Sequence, residues 1–156
     1  MRNKVSLACG LCVGIASVIA VIGIVLSFTP RYTEAQTTET FMARLSVMPV
    51  EAATVPDIAG SGSGSAVFDN GRLLIDGAFT GLLGIVTAAR LHEGPGMGIR
   101  GTAFSELMVV GGVEGSFSGE IELSSDQVDS LRQGKIYIQI DSEAAPEGNL
   151  WGWLVK

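Results

Sequence analysis

Few residues in this chain are equipped for chemistry, and their spacing limits what that chemistry can be. There is one histidine, His92, and both cysteines, Cys9 and Cys12, lie inside an apolar run near the N-terminus. Zinc–thiolate sites and cysteine nucleophiles are therefore excluded from residues 29–156. A stable transition-metal centre wants three or four convergent ligands. His92 with Asp141 or Glu93 supplies at most part of one, so no metal and no cofactor is expected. A single histidine without a strand–turn–helix nucleophile elbow gives no basis for a serine–histidine–acid triad. The glycine-dense stretch Glu93–Gly101, EGPGMGIRG, matches neither a phosphate loop nor a dinucleotide fingerprint, and no lysine closes it. Carboxylates are plentiful enough for a glycosidase pair, but nothing singles one out.

What remains are candidate contact residues. Arg90 stands two residues before His92, where it can meet a partner's carboxylate or lie against Glu93. An ordinary surface ion pair of that kind contributes under about 1 kcal/mol. His92 is expected to satisfy hydrogen bonds at a strand end or to act as a pH-sensitive contact. Trp151 and Trp153 are two apart in a strand and project to one face, while Leu150, Gly152 and Leu154 form the opposite, core-like row. Large indoles dominate contact energetics, so the expectation is a partner or membrane-interface surface.

The element that positions everything else is Val5–Phe28, VSLACGLCVGIASVIAVIGIVLSF, without a charge or a proline. As a helix it would reach about 36 Å, against a hydrocarbon core of about 30 Å. Arg2 and Lys4 precede it, while Arg31 and Glu34 nearly cancel after it, which keeps the N-terminus cytoplasmic and exports residues 29–156. The apolar core is long for a secretory signal, whose core runs to about 15 residues, and the one candidate cleavage site, Thr33-Glu34-Ala35, is imperfect. A retained anchor in a bacterial inner membrane is the first expectation; release after Ala35 is the alternative. Gly10 and Gly14 form a GxxxG pair with Ser17 nearly in line, and Ala16, Ala20, Gly23 and Ser27 make a second small-residue stripe. Such stripes let helix backbones approach closely in lipid and suit docking on an integral membrane protein complex.

Residues 29–40 are polar and contain Pro30, which reads as a short tether, with Arg31 and Tyr32 as interface anchors. Residues 41–156 are enough for one domain with its own core. The formal charge of -6 argues against nucleic acid as a partner. An exported domain without cysteine must hold itself by packing and sheet pairing, as suits a periplasm or cell surface.

From Phe41 the apolar period is two: Phe41, Ala43, Leu45 and Val47 alternate with polar positions until Pro49. After the loop Val50–Gly62, strands Ser63–Phe68 and Arg72–Phe79 form a hairpin through Asp69-Asn70-Gly71. Further strands are expected at Ile85–His92, Thr102–Val110, Gly115–Leu123, Lys135–Asp141 and Asn149–Lys156. Ser124 and Gln127 form a capping box for a short helix that buries Val128 and Leu131 and stops at Gly134. Short strands with turn signals every 8–12 residues indicate an all-β antiparallel sandwich or barrel.

The order of these segments resembles the CHRD domain, named after chordin and common in bacterial exported proteins. The resemblance rests on Phe41-Met42-Ala43-Arg44-Leu45, Gly64-Ser65-Ala66, Ala88-Ala89-Arg90-Leu91-His92-Glu93-Gly94, and Leu123-Ser124-Ser125-Asp126-Gln127 through Leu131, Gly134 and Tyr137. It closes on Pro146-Glu147-Gly148-Asn149-Leu150-Trp151-Gly152-Trp153-Leu154. It implies an immunoglobulin-like Greek-key sandwich, similar to copper-zinc superoxide dismutase, and no established catalytic activity. Where such domains carry histidines, this chain has Arg90 and Asp141-Ser142, so a degenerate metal-binding protein is the remotest of three readings. A non-catalytic accessory subunit held by its anchor against a larger complex is the first, and a secreted or surface binding module is the second.

Overall fold

The computed structural model describes residues 38–48 and 50–156; the expected anchor, its small-residue stripes and most of the tether lie outside them. Among the described residues no helix is long and apolar enough to cross a membrane. Eight strands and one helix follow in order: β1 Glu39–Val47, β2 Ser61–Asp69, β3 Arg72–Thr80, β4 Val86–Glu93, β5 Thr102–Gly111, β6 Gly115–Glu122, α1 Ser125–Arg132, β7 Ile136–Ser142 and β8 Leu150–Trp153.

Local chemistry explains the most regular parts. β2 and β3 pair in register from Ser61 opposite Thr80 to Asp69 opposite Arg72, leaving Asn70-Gly71 as a two-residue turn. Both turn residues have positive φ, 51° and 82°, the geometry that matches a hairpin's right-handed twist. At α1 the Ser124 side chain accepts from the Gln127 amide, and the Gln127 side chain accepts from the Ser124 amide in return. Leu131 is fully buried and Val128 packs against the core, as the sequence indicates.

All pairings are antiparallel, in the order β1-β2-β3-β6-β5-β4-β7-β8, and β8 returns to β1. The resemblance implies two separate sheets; here the hydrogen-bonded ladder closes into a barrel. β1 pairs with both β2 and β8, and β5 pairs with both β6 and β4, so these two strands join what would be the halves of a sandwich. Closure gives every strand a neighbour on both sides over part of its length, which shortens the free edges that a cysteine-free β domain otherwise has to protect. Beyond β8 the seam continues, with Met42 and Val155 exchanging backbone hydrogen bonds at 2.7 and 3.0 Å.

The interior is filled by Phe41, Leu45, Leu73, Phe117, Ile138 and Leu150 with their neighbours. Phe117 needs glycine opposite it, since a methyl group on Gly77 would lie 2.2 Å from its Cζ and 2.5 Å from the Ser63 carbonyl oxygen. The barrel is pinned at the β1 start by Glu39. It is 8% exposed and paired with Arg132 of α1 and with the C-terminal Lys156, each at 2.6 Å. The Arg132 and Lys156 hydrogen bonds hold the Glu39 carboxyl down at about 2. This stabilisation is present above the ordinary value near 4.5 and is lost as pH falls toward 2.

Chemical denaturation tests the packing. Gly77→Ala should lower stability by about 2–3 kcal/mol through overpacking against Phe117. Gly112→Ala, where an added methyl group meets nothing within 4 Å, should stay within about 0.5 kcal/mol.

Candidate functional site

The residues with chemical capability gather on the outer face of β4, β7 and β8. Alternation along β7 sends Ile136, Ile138 and Ile140 into the barrel and Tyr137, Gln139 and Asp141 outward. β4 contributes Arg90 and His92 to the same face, and β8 contributes Trp151 and Trp153. The register sets His92 opposite Tyr137, Arg90 opposite Gln139, and Trp153 opposite Tyr137.

This outer face is covered. Trp151 is only 2% exposed and Trp153 is half-buried, which corrects the expectation of two exposed indoles. The cover comes from the two glycine-bearing loops at 94–101 and 143–149. Arg100 lies over the Trp151 ring, 5.1 Å from its centroid, and is 3.7 Å from Glu147. Gly148 sits so close to Trp151 Nε1 that a methyl group there would be 2.4 Å away. Tyr137 is the centre of the layer, with His92, Trp151 and Trp153 at centroid distances of 5.0, 5.1 and 5.1 Å.

Arg90 does not lie against Glu93. It forms an ion pair with buried Asp141 and reaches Glu106 at 3.8 Å, while Glu93 accepts from the Ser130 hydroxyl at 2.5 Å. Asp141 also accepts from Gln139 Nε2 at 2.7 Å. Burial pushes the Asp141 carboxyl up, against the opposing pull of Gln139 and Arg90. His92 satisfies a strand-end hydrogen bond, as the sequence suggests: its Nδ1 faces the Gly101 carbonyl at 3.4 Å. The Gly101 amide in turn donates to Tyr137 Oη at 3.1 Å. Burial lowers the His92 pKa, and the Gly101 carbonyl and Asp141 only partly restore it. Tyr137 is raised, again chiefly by burial.

Four buried side-chain atoms of the layer have no partner among the described residues: His92 Nε2, Gln139 Oε1, Trp151 Nε1 and Trp153 Nε1. No group of three or more histidine, cysteine or acidic side chains that could hold a metal ion occurs among the described residues. A cleft of about 250 Å³ adjoins the layer, lined by Glu51, Asp57, Ile58, Arg100, Ala145 and Glu147. A larger trough of about 570 Å³ crosses the outer face of β2, β3 and β6, floored by Ser63, Ser65, Asp76, Ala78, Ser116 and Ser118. Neither brings a histidine to a carboxylate.

Sequence reasoning places Arg90, His92, Trp151 and Trp153 on one face and misses three residues that complete it: Tyr137, Gln139 and Arg100. The alternation of β7 signals the first two. Arg100 carries no local signal, because its contact with Trp151 spans a separation of 51 positions between loop and strand.

Fold and site together define a small closed antiparallel β-barrel whose outer aromatic and ionic layer is sealed by its own loops. The CHRD domain pattern matches residues 41–154, and the chain belongs to that family. Nothing among curated proteins matches the chain, and nothing among solved structures does.

Two measurements probe the layer. Arg90→Met leaves the Asp141 carboxylate buried without its cation and should lower stability by about 2–3 kcal/mol, whereas Arg90→Met with Asp141→Leu should recover most of that loss. A histidine with a depressed folded pKa favours the fold at high pH, because below the ordinary value near 6.5 only the unfolded chain takes up the proton readily. Stability should therefore decline as pH falls through 6.5. Asp141, shifted upward, acts with the opposite sign at lower pH. His92→Gln should flatten the decline between about pH 7 and 5 in denaturation series.

Proposed function

We propose that this chain is a non-catalytic accessory subunit anchored in a bacterial inner membrane by Val5–Phe28, with its β-barrel domain packed in the periplasm against a larger membrane protein complex. The return of β7 beside β4, after the consecutive neighbours β4, β5 and β6, supports an immunoglobulin-like Greek-key reading of the barrel. The layer at Arg90, His92, Trp151 and Trp153 supports a non-catalytic role, because its charged groups are engaged with each other and its rings pack around Tyr137.

The observation that carries the proposal is an exposed apolar patch at one end of the barrel. Leu83 and Ile85 precede β4, Met108 and Val110 end β5, and Val113 is the tip of the β5–β6 hairpin. Their exposures run from 49% for Val113 to 71% for Met108. The segments are joined, since the Leu82 amide donates to the Val113 carbonyl and the Val86 amide to the Gly112 carbonyl, both at 3.0 Å. A contiguous apolar patch on a small soluble domain marks a contact site.

Position and charge say what kind. The patch lies at the barrel end opposite Glu39 and the Asn70-Gly71 turn. Exposed Glu114 and Glu143 rim it, and the segments 80–86, 110–115 and 142–149 contain no lysine or arginine. A second copy would bring like charges together, whereas an apolar protein face ringed by basic side chains complements it.

Purification of the full chain from its native membranes in mild detergent should recover a stoichiometric partner. Ile85→Glu with Val110→Glu should reduce that recovery about 10-fold or more while leaving thermal unfolding nearly unchanged. A soluble natural chain beginning after Ala35, read by mass spectrometry, would overturn the anchor and favour the released surface module.

A further inference from the structure

The loop at 94–101 does more than cover Trp151, because it carries two large apolar side chains outward. Met97 is 60% exposed and Ile99 54% exposed, separated by Gly98. Neither is needed to seal the layer below, which Arg100 and Gly101 already reach. The loop emerges at the same barrel end as the tether. The Gly94 amide donates to the Lys135 carbonyl at the start of β7, and a methyl group on Gly134 would touch both Val155 Cγ1 at 3.6 Å and Met97 Cε at 3.7 Å. Val155 pairs with Met42 of β1, and Lys156 reaches Glu39.

We propose that Met97 and Ile99 dip into the bilayer interface and fix the orientation of the domain on the membrane. The inference rests on the reading of Val5–Phe28 as a retained anchor. Chain length argues for the occupant: with Val5–Phe28 retained in the membrane, Thr29–Thr38 spans at most about 35 Å, so the β1 start stays within that reach of the bilayer surface. A short linker holds a second contact at an effective concentration on the order of millimolar, enough for two side chains that would not bind lipid alone. Lys135 flanks the loop beside its Gly94 hydrogen bond, while Lys156 and Arg132 are held by Glu39 and Arg100 by Trp151 and Glu147. The opposite end, rimmed by Glu114 and Glu143, has no such cations.

The test uses the full chain reconstituted in phosphatidylethanolamine–phosphatidylglycerol vesicles, with Cys9→Ser and Cys12→Ser and one environment-sensitive fluorophore. The fluorophore is carried on Met97→Cys or, as control, on Val110→Cys. Lipids brominated along the acyl chain should quench the label at 97, placing it roughly 5–10 Å below the headgroup boundary, and leave the label at 110 untouched. A label at 97 that is as unquenched as the one at 110 overturns the inference. So does a label that is dry but unquenched, which signals a protein contact or a second copy. Alkaline carbonate washing separates the two readings: release of the chain sinks the anchor, whereas a retained chain with an unquenched label sinks the loop alone. In vesicles, Met97→Asp with Ile99→Asp should speed tryptic cleavage after Arg31 several-fold, and an unchanged rate would count equally against the loop.

Discussion

Strand β7 is buried on both faces, and the rest of the domain is arranged around that constraint. All seven of its residues are shielded from solvent, although Tyr137, Gln139 and Asp141 on the outward side carry polar groups. Isoleucines on the inner face need only shape. Tyr137, Gln139 and Asp141 on the outer face need partners, because a buried polar group without one is destabilising by about 1–3 kcal/mol and a buried charge by more. Arg90 answers Asp141, Gln139 answers its other oxygen, and Gly101 answers the tyrosine hydroxyl. The loops at 94–101 and 143–149 are therefore drawn over this face, which makes it a second, aromatic core outside the barrel.

The same constraint explains what is legible from sequence. The hairpin at Asn70-Gly71 and the capping box at Ser124 and Gln127 are determined within a few residues, so composition and spacing reveal them. The inward isoleucines of β7 follow from period two alone. Trp151 is different, because a strand with Leu150, Gly152 and Leu154 on one face looks complete, and two indoles on the other then look like surface. What buries them is a glycine loop immediately upstream and an arginine from another hairpin, contacts set by topology and not by local pattern. Closure of the sheet is equally non-local, since it depends on β1 and β5 each finding two partners. The segment Val5–Phe28, the clearest single feature of the sequence, lies outside the described residues, so its reading rests on hydropathy and flanking charge.

The barrel is polar along its axis. The β1 start, α1 and the C-terminal residues meet at one end through Glu39, which holds Arg132 and Lys156 together. The same end presents Met97 and Ile99. The other end has apolar side chains ringed by carboxylates and no cation in its loops. A closed barrel leaves little free edge for strand addition, so its contacts with lipid or protein fall chiefly to loops and faces. The two ends differ in charge and apolar shape in the way expected if each meets a different surface.

The guanidinium at position 90 gives the outer layer its character. Histidine two residues before His92, as the resemblance leads one to expect, would set two titratable rings beside Asp141 and leave its charge balance dependent on pH. Arginine instead sets a guanidinium against the Asp141 carboxylate. It also fills the space with a fork of donors and no lone pair, so that atom position cannot act as a ligand. His92, with Nδ1 turned to Gly101 and its ring stacked on Tyr137, then serves the loop. His92 and Tyr137 together hold the 94–101 segment from below through Gly101, and the layer's chemistry is spent on keeping that loop in place.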